Sequence, residues 1–307
     1  MYKLIKILFV PLLFLVSCSY SDFTTYTLRY DNNFTNYYFF QRSDIKSSYN
    51  RLIIFLDGAS FNSVLGTKGS ILPWKSFSIV YDLQNDLSDN FNLLVPEKMN
   101  IETGEDFSED TVKLSYATLN SRVLSSVNVI DKFLNDNDYQ YVYLIGYSEG
   151  GMILPRVYNN LKNKNLINKL VSLSGGGYSY YNLIKFMYKE NDWDTTKIDS
   201  ALIEIQNNPN SLSKFYLGHP YKQWVDFINY EPALEYKNID IPILLLHGTD
   251  DKNGTVESSR YLKNRFDEWD KSNLIYYELE NMDHRYNGDF SKVLKIVEDW
   301  LVKKNAL

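Results

Sequence analysis

The sequence predicts an α/β fold: a doubly wound, mostly parallel sheet that opens with an N-terminal antiparallel hairpin and is interrupted by a helical cap insertion. Three observations carry this. Strand-length apolar runs such as RLIIFL (51–56) and YVYLI (141–145) have the look of strands buried on both faces. Between them lie helix-length stretches whose apolar residues recur three and four apart. The chain of 307 residues is long enough to enclose such a sheet in one large domain.

The first residues do not belong to that domain. Lys3 and Lys6 precede an apolar run from Ile7 to Val16, which ends on Ser17 and Cys18. This is the pattern of a secretory signal over 1–17. A run of about ten residues is too short to span a bilayer, which takes about 20 as a helix.

Leu15-Val16-Ser17-Cys18 resembles the bacterial lipobox, whose cysteine becomes the lipidated first residue of the mature chain. Cys18 is the only cysteine, so a disulfide within the chain is excluded and a thioether to lipid accounts for it. The alternative is an ordinary cleaved signal with an incidental cysteine. The resemblance implies a membrane partner reached through the lipid on Cys18, and a bacterial cell-envelope location. Ser19, in place of aspartate, points to the outer membrane by similarity to enteric lipoproteins. Loss of Lys3 and Lys6 with the signal would take the formal charge from −6 to −8. An acidic chain without clustered Lys and Arg offers no phosphate-binding surface, so no nucleic-acid partner is expected.

After a polar tether (18–25), the β-branched and aromatic segments 26–30 and 36–41 flank the turn-like Asp31-Asn32-Asn33 and predict the hairpin. The strand 51–56 follows and ends at Asp57-Gly58. Residues 60–72, with their glycines and serines, read as a mobile loop. Alternation then sets in: strand 92–96, helix 116–134, strand 141–145, helix 149–161, strand 169–173. It resumes with strand 243–246, helix 256–269, strand 274–279 and helix 290–303, the last carrying Val293, Ile296, Val297, Trp300 and Leu301 on one face.

The cap insertion, about 178–240, fills the gap. Its aromatics include Tyr180, Tyr181, Trp193, Phe215, Trp224 and Phe227. Helical spacing at Trp224, Phe227 and Ile228, and at Ile198, Leu202 and Ile205, makes it mostly helical. Most of the aromatics are expected to pack the cap on the sheet, with the rest lining an apolar pocket.

The chemistry centres on Gly146-Tyr147-Ser148-Glu149-Gly150, which fits G-x-S-x-G. It lies directly after a buried strand and directly before a helical pattern, where flanking glycines permit a sharp turn that exposes the serine oxygen. A serine hydroxyl needs a base to take its proton, and that base needs a carboxylate to fix its tautomer. With such an elbow the expected chain order is serine, acid, histidine. Of His219, His247 and His284, the first lies in the cap and the second ends an apolar strand ahead of the candidate acid. His284, in the loop between the last strand and the last helix, has the required position.

His247-Gly248-Thr249-Asp250-Asp251 resembles the His-Gly-x-x-Asp that carries the acid in many α/β-hydrolases. Gly146 to Gly151 is likewise similar to the G-x-S-E-G-G elbow of esterases and peptidase-like serine hydrolases of that superfamily. The resemblance covers the chain from about Arg51 to the C-terminus, with the cap as its divergent part. It implies a Ser148–His284–Asp251 triad, with Asp250 as the alternative acid, His247 structural and Asp283 a turn residue. It also implies oxyanion donors at the backbone N–H of Glu149 and of Ala59, with Ser60 as the alternative to Ala59. Many relatives carry His-Gly ahead of that second donor; here Asp57-Gly58 stands there. A carboxylate in that place would oppose a developing oxyanion, so Asp57 is expected to turn away and bond its own loop. The Glu149 side chain is expected only to favour the helix dipole.

The activity implied is cleavage of a carboxylic ester or related acyl bond through an acyl-enzyme, with a small-molecule ester, thioester or peptide as substrate. A serine exopeptidase or thioesterase on the same triad is the alternative among enzymes, and a non-catalytic binding lipoprotein is the alternative of another class. Cofactor and metal motifs are missing from the sequence: there is no G-x-G-x-x-G, no P-loop and no H-x-x-x-H.

Overall fold

The structure, a computed structural model, describes residues 23–42, 50–67 and 78–303. The signal segment 1–17, Cys18, most of the tether and the far part of the loop expected at 60–72 lie outside the described residues.

β1 (Thr24–Tyr30) and β2 (Asn33–Phe40) form the antiparallel hairpin, turning at Asp31 and Asn32. β2 then pairs antiparallel with β4 (Asn92–Pro96), and from there the sheet is parallel. β3 (Arg51–Leu56) lies between β4 and β5 (Tyr141–Tyr147). β6 (Ile167–Leu173), β9 (Ile243–Gly248) and β10 (Leu274–Leu279) complete an eight-stranded order β1-β2-β4-β3-β5-β6-β9-β10. β7 (Phe215–Tyr216) and β8 (His219–Pro220) make a separate small ladder.

Helices cover both faces because the central strands present apolar residues to both sides. α3 (Leu119–Asp136), α4 (Glu149–Asn160), α8 (Pro232–Tyr236) and α9 (Val256–Glu268) pack on one face, against Leu52, Ile54, Leu144 and Leu245. α1 (Ile79–Asp86) and α10 (Phe290–Val302) pack on the other, against Ile53, Phe55, Ile145 and Leu244. Successive strand residues thus feed two separate cores, which is why these strands read as unbroken apolar runs.

Three expectations need correction. The helix expected over 116–134 is α3, which starts later, at Leu119, because the Thr118 hydroxyl accepts from the Ser121 N–H, and a separate short helix, α2 (Thr111–Leu114), precedes it. α1 has no counterpart among the elements the sequence predicts; its short amphipathic stretch buries only Val80 and Leu83. The loop after β3, as far as it is described, is pinned. Buried Glu97 accepts hydrogen bonds from the Ser63 hydroxyl at 2.6 Å and the Val64 N–H at 2.9 Å.

The insertion between β6 and β9 is mostly helical. α5 (Tyr180–Glu190), α6 (Thr196–Asn207) and α7 (Tyr221–Phe227) enclose their own core of Ile184, Ile198, Ile205, Trp224 and Ile228. No helix among the described residues is long and apolar enough to cross a membrane.

Candidate active site

β5 runs straight into Ser148, whose backbone is held at φ 53°, ψ −120°, a conformation that L-residues rarely adopt. Two glycines make that turn sterically feasible. A Cβ on Gly146 would lie 2.3 Å from the Gly150 carbonyl oxygen, and one on Gly150 would lie 2.1 Å from the Leu56 carbonyl oxygen. The Ser148 N–H is tied to the Leu173 carbonyl at 2.8 Å, which fixes the elbow to β6. The serine oxygen therefore stands above the carboxyl edge of the sheet, where ligands bind in folds of this kind.

Two further loops at that edge reach the serine. His284, after β10, places Nε2 2.9 Å from Ser148 Oγ. Asp251, after β9, places Oδ2 2.6 Å from His284 Nδ1. The other carboxylate oxygen, Oδ1, accepts the N–H groups of Asn253 at 2.8 Å and Gly254 at 2.7 Å. Burial by itself would raise the Asp251 pKa, but hydrogen bonds from His247 and His284 outweigh it and hold the carboxyl well below the usual carboxylate range. The carboxylate stays charged and orients an imidazole whose far nitrogen faces the serine hydroxyl.

His247 does more than fill space. It is fully buried, with Nε2 3.0 Å from Asp251 Oδ2 and Nδ1 2.6 Å from Ser259 Oγ. The Nε2–H tautomer satisfies both contacts, with the Ser259 hydroxyl donating to Nδ1. One carboxylate thus receives two imidazoles and two backbone N–H groups. Asp250 faces elsewhere; it is exposed and takes only the neighbouring Thr249 hydroxyl. Asp283 is a turn residue, accepting the N–H groups of Arg285 and Asn287.

On the opposite side of Ser148, Gly58 packs so close that a Cβ there would lie 3.2 Å from Ser148 Cβ. This brings the Ala59 peptide beside the serine, together with Glu149 at the start of α4. The Asp57 carboxyl sits in the field of Lys98 and Arg122 and takes the Gly58 N–H; burial nonetheless pushes its pKa up. Bonding to its own loop matches the expectation, and Asp57 is among the residues that border the cleft.

The Glu149 side chain departs from its expected dipole role. It is buried and ion-paired with Arg122 at 3.2 Å, and the Tyr180 hydroxyl donates to it at 3.4 Å. Arg122 is a site residue that sequence reasoning missed. Its one signal is a cation spaced three residues after Leu119 and beside Val123, on the face of α3 that also carries Val129 and Ile130.

A cleft of about 710 Å³ opens over Ser148 and His284. Its described walls come from the loop after β3, the start of α1 and the loop before α10, including Ser60, Asn62, Tyr81, Asp82, Arg285 and Phe290. None of the cap aromatics is among these lining residues; Trp193 is 57% and Phe215 49% exposed instead. The aromatic lining expected from the cap is therefore not what borders the serine. His219 packs beside Phe61 and Trp224, away from the relay. Among the described residues no group of three or more His, Cys, Asp and Glu is placed to hold a metal.

No protein-family model and no curated protein sequence matches the chain. Solved structures do. One is an acylaminoacyl peptidase in complex with Z-Gly-Gly-Phe-chloromethyl ketone, at TM-score 0.62 and 14% identity over 92% of this chain. This chain spans only 41% of that peptidase's length. Est1E from Butyrivibrio proteoclasticus aligns at TM-score 0.57 and 13% identity, covering 91% of this chain and 97% of its own. An esterase of Pyrococcus furiosus aligns at TM-score 0.55 and 14% identity, covering 91% and 92%. The likeness is one of architecture: the chain has an α/β-hydrolase fold.

Proposed function

We propose that this chain is a serine hydrolase that cleaves a carboxylic ester or related acyl bond. The observation that carries the reading is the continuous hydrogen-bonded line from Asp251 through His284 to Ser148 Oγ, at 2.6 and 2.9 Å, with the serine raised on a strained elbow. Ser148 Oγ attacks the acyl carbon as its proton passes to His284 Nε2. Asp251 holds the imidazole in the tautomer that can accept it and stabilises the imidazolium. The carbonyl oxygen, now negative, is received by the N–H groups of Glu149 and Ala59. The tetrahedral species collapses, and His284 returns the proton to the leaving group. Water, deprotonated by the same imidazole, then releases the acyl group and restores Ser148.

The test is labelling by a fluorophosphonate probe. The wild-type chain should label at one site, and Ser148→Ala should lose both labelling and hydrolysis while its melting temperature stays close to wild type. Labelling that persists in Ser148→Ala would move the nucleophile elsewhere. p-Nitrophenyl esters of rising chain length, run beside aminoacyl-naphthylamides and acyl-CoAs, separate esterase from exopeptidase and thioesterase. The peptidase reading is supported by the acylaminoacyl peptidase among the structural neighbours; Est1E, with which a ferulic acid complex is known, and the Pyrococcus esterase match over nearly their whole length and favour the ester.

The same proposal places the enzyme in the bacterial envelope, lipid-anchored through Cys18, on the strength of the lipobox-like Leu15-Val16-Ser17-Cys18. Two or more acyl chains would hold it stably, since each buried CH₂ adds about 0.8 kcal/mol. Metabolic palmitate labelling should disappear in Cys18→Ala; retained labelling would sink the anchor.

A further inference from the structure

We infer that Arg122 is the positioning residue of the oxyanion site, setting the direction of the Ala59 N–H and coupling it to the start of α4. The inference rests on the hydrolase reading above. Arg122 is 7% exposed, on the face of α3 that packs under the sheet edge. Its guanidinium makes three contacts: Nη2 donates to the Asp57 carbonyl at 2.7 Å, Nη1 donates to the Gly58 carbonyl at 3.4 Å, and Nη1 lies 3.2 Å from Glu149 Oε1.

The chemical consequence lies in the peptide plane. The Gly58 carbonyl and the Ala59 N–H belong to one planar trans amide, so they point in opposite directions. A cation that holds the oxygen on the α3 side turns the N–H away from α3, towards the cleft that Ala59 and Ser148 line. It also polarises that amide, making its N–H a stronger donor to developing negative charge. The same guanidinium grips the side chain of Glu149, whose own N–H is the second donor. One planar fork therefore fixes both donors relative to each other, which the point charge of a lysine cannot do.

The electrostatic setting argues for geometry over stability. Arg122 shares its surroundings with Lys98, Glu97, Glu149 and Asp57, and burial pushes the Lys98 pKa down and the Glu97 pKa up. Buried ion clusters of this kind are often no more stabilising than well-packed apolar residues. A guanidinium aimed at two carbonyls of the loop beside the nucleophile is accounted for by what it orients.

The experiment uses the full chain, with active sites counted by fluorophosphonate labelling so that kcat is expressed per reactive serine. Arg122→Met should lower kcat per site by about 10- to 100-fold, with KM within about twofold, since removal of one oxyanion donor costs about 10²–10³ and displacement costs less. The inhibition constant of a trifluoromethyl ketone, which binds as a tetrahedral oxyanion, should rise by a similar factor. Arg122→Lys should recover part of both. If Arg122→Met fails to fold because it strands Glu149, the double variant Arg122→Met/Glu149→Gln removes both charges and should show the same pair of losses. Wild-type kcat per site and wild-type ketone affinity in a variant that merely melts earlier would overturn the inference and leave the hydrolase reading standing. A wild-type chain that does not label at Ser148 would overturn that reading, and this inference with it.

Discussion

On one side of Ser148, Asp251 and His284 sit on the loops after β9 and β10, and a single carboxylate collects four donors from His247, His284, Asn253 and Gly254. On the other side, the proposed donors are backbone N–H groups of the loop after β3 and the first turn of α4, beside a cluster of five charged side chains of which Arg122 bonds the Asp57 and Gly58 carbonyls. The acid side is built from side chains that touch one another and can be replaced one at a time. The proposed oxyanion side is main chain, so under that reading its chemistry depends on residues that never meet the substrate. Substitutions on the first side should remove a chemical group; on the second they should move one.

The largest effect belongs to the acid side. Asp251→Asn should lower kcat by roughly 10³- to 10⁴-fold, because an amide cannot hold His284 in the accepting tautomer. Steady-state hydrolysis of a p-nitrophenyl ester measures it, and a loss under tenfold would break the assignment. Next comes the seam between the two sides. A Cβ on Gly150 would meet the carbonyl oxygens of Leu56 at 2.1 Å and Asp57 at 2.7 Å. Gly150→Ala must therefore push α4 away from the end of β3, with an overpacking cost of about 1–3 kcal/mol. Thermal melting should report that cost, and hydrolysis per labelled site should fall as well, because both donors move.

The same contrast separates the residues that the sequence makes legible from those it hides. Ser148 and Asp251 each follow a plain apolar strand, and His284 follows the last strand, so their order along the chain is enough to nominate them. The strands β3, β4 and β10 have the limits that the sequence predicts. Arg122 lies within a long helix, and only its place beside Leu119 and Val123 hints at a partner; which partner depends on how α3 crosses the ends of β3 and β5. His247 is visible as part of a motif, but its contact with Asp251 needs the loop to double back over four residues. α1 escapes because its burial is supplied by α10, distant in sequence.

Intermediate effects sharpen the comparison further. His247→Phe should leave Ser259 without its acceptor and Asp251 Oδ2 with one donor fewer. The expected stability loss is about 1–3 kcal/mol, as for a buried polar group left unsatisfied, with kcat falling far less than in Asp251→Asn. Chemical denaturation and hydrolysis on the same sample separate the two. Asp57→Asn should act in the opposite direction. Burial raises the Asp57 pKa in the folded chain, so the folded state holds that proton more tightly than the unfolded one. Stability is then lost as pH rises through the window between the two values, and the neutral asparagine escapes that loss. The variant should melt higher than wild type at pH 7, with the gain shrinking below the unfolded carboxylate range at about pH 3.9. Hydrolysis should be unchanged or faster, since a charge is removed from a residue that borders the cleft.

The smallest effect comes from the neighbour of the proposed acid. Asp250→Asn changes an exposed side chain whose one hydrogen bond is to Thr249, and the backbone contact of residue 250 with the Met282 carbonyl survives the substitution. Its stability should lie within about 0.5 kcal/mol of wild type, the usual range for a surface change. Its kcat should stay within twofold, because His284 Nδ1 meets Asp251 and not Asp250. A one-residue shift of this loop in solution would exchange the two carboxylates, and Asp250→Asn would then be the crippled variant while Asp251→Asn stayed active. Measured side by side, the pair decides which carboxylate the imidazole faces, and with it whether the four-donor arrangement around Asp251 is what holds the relay in place.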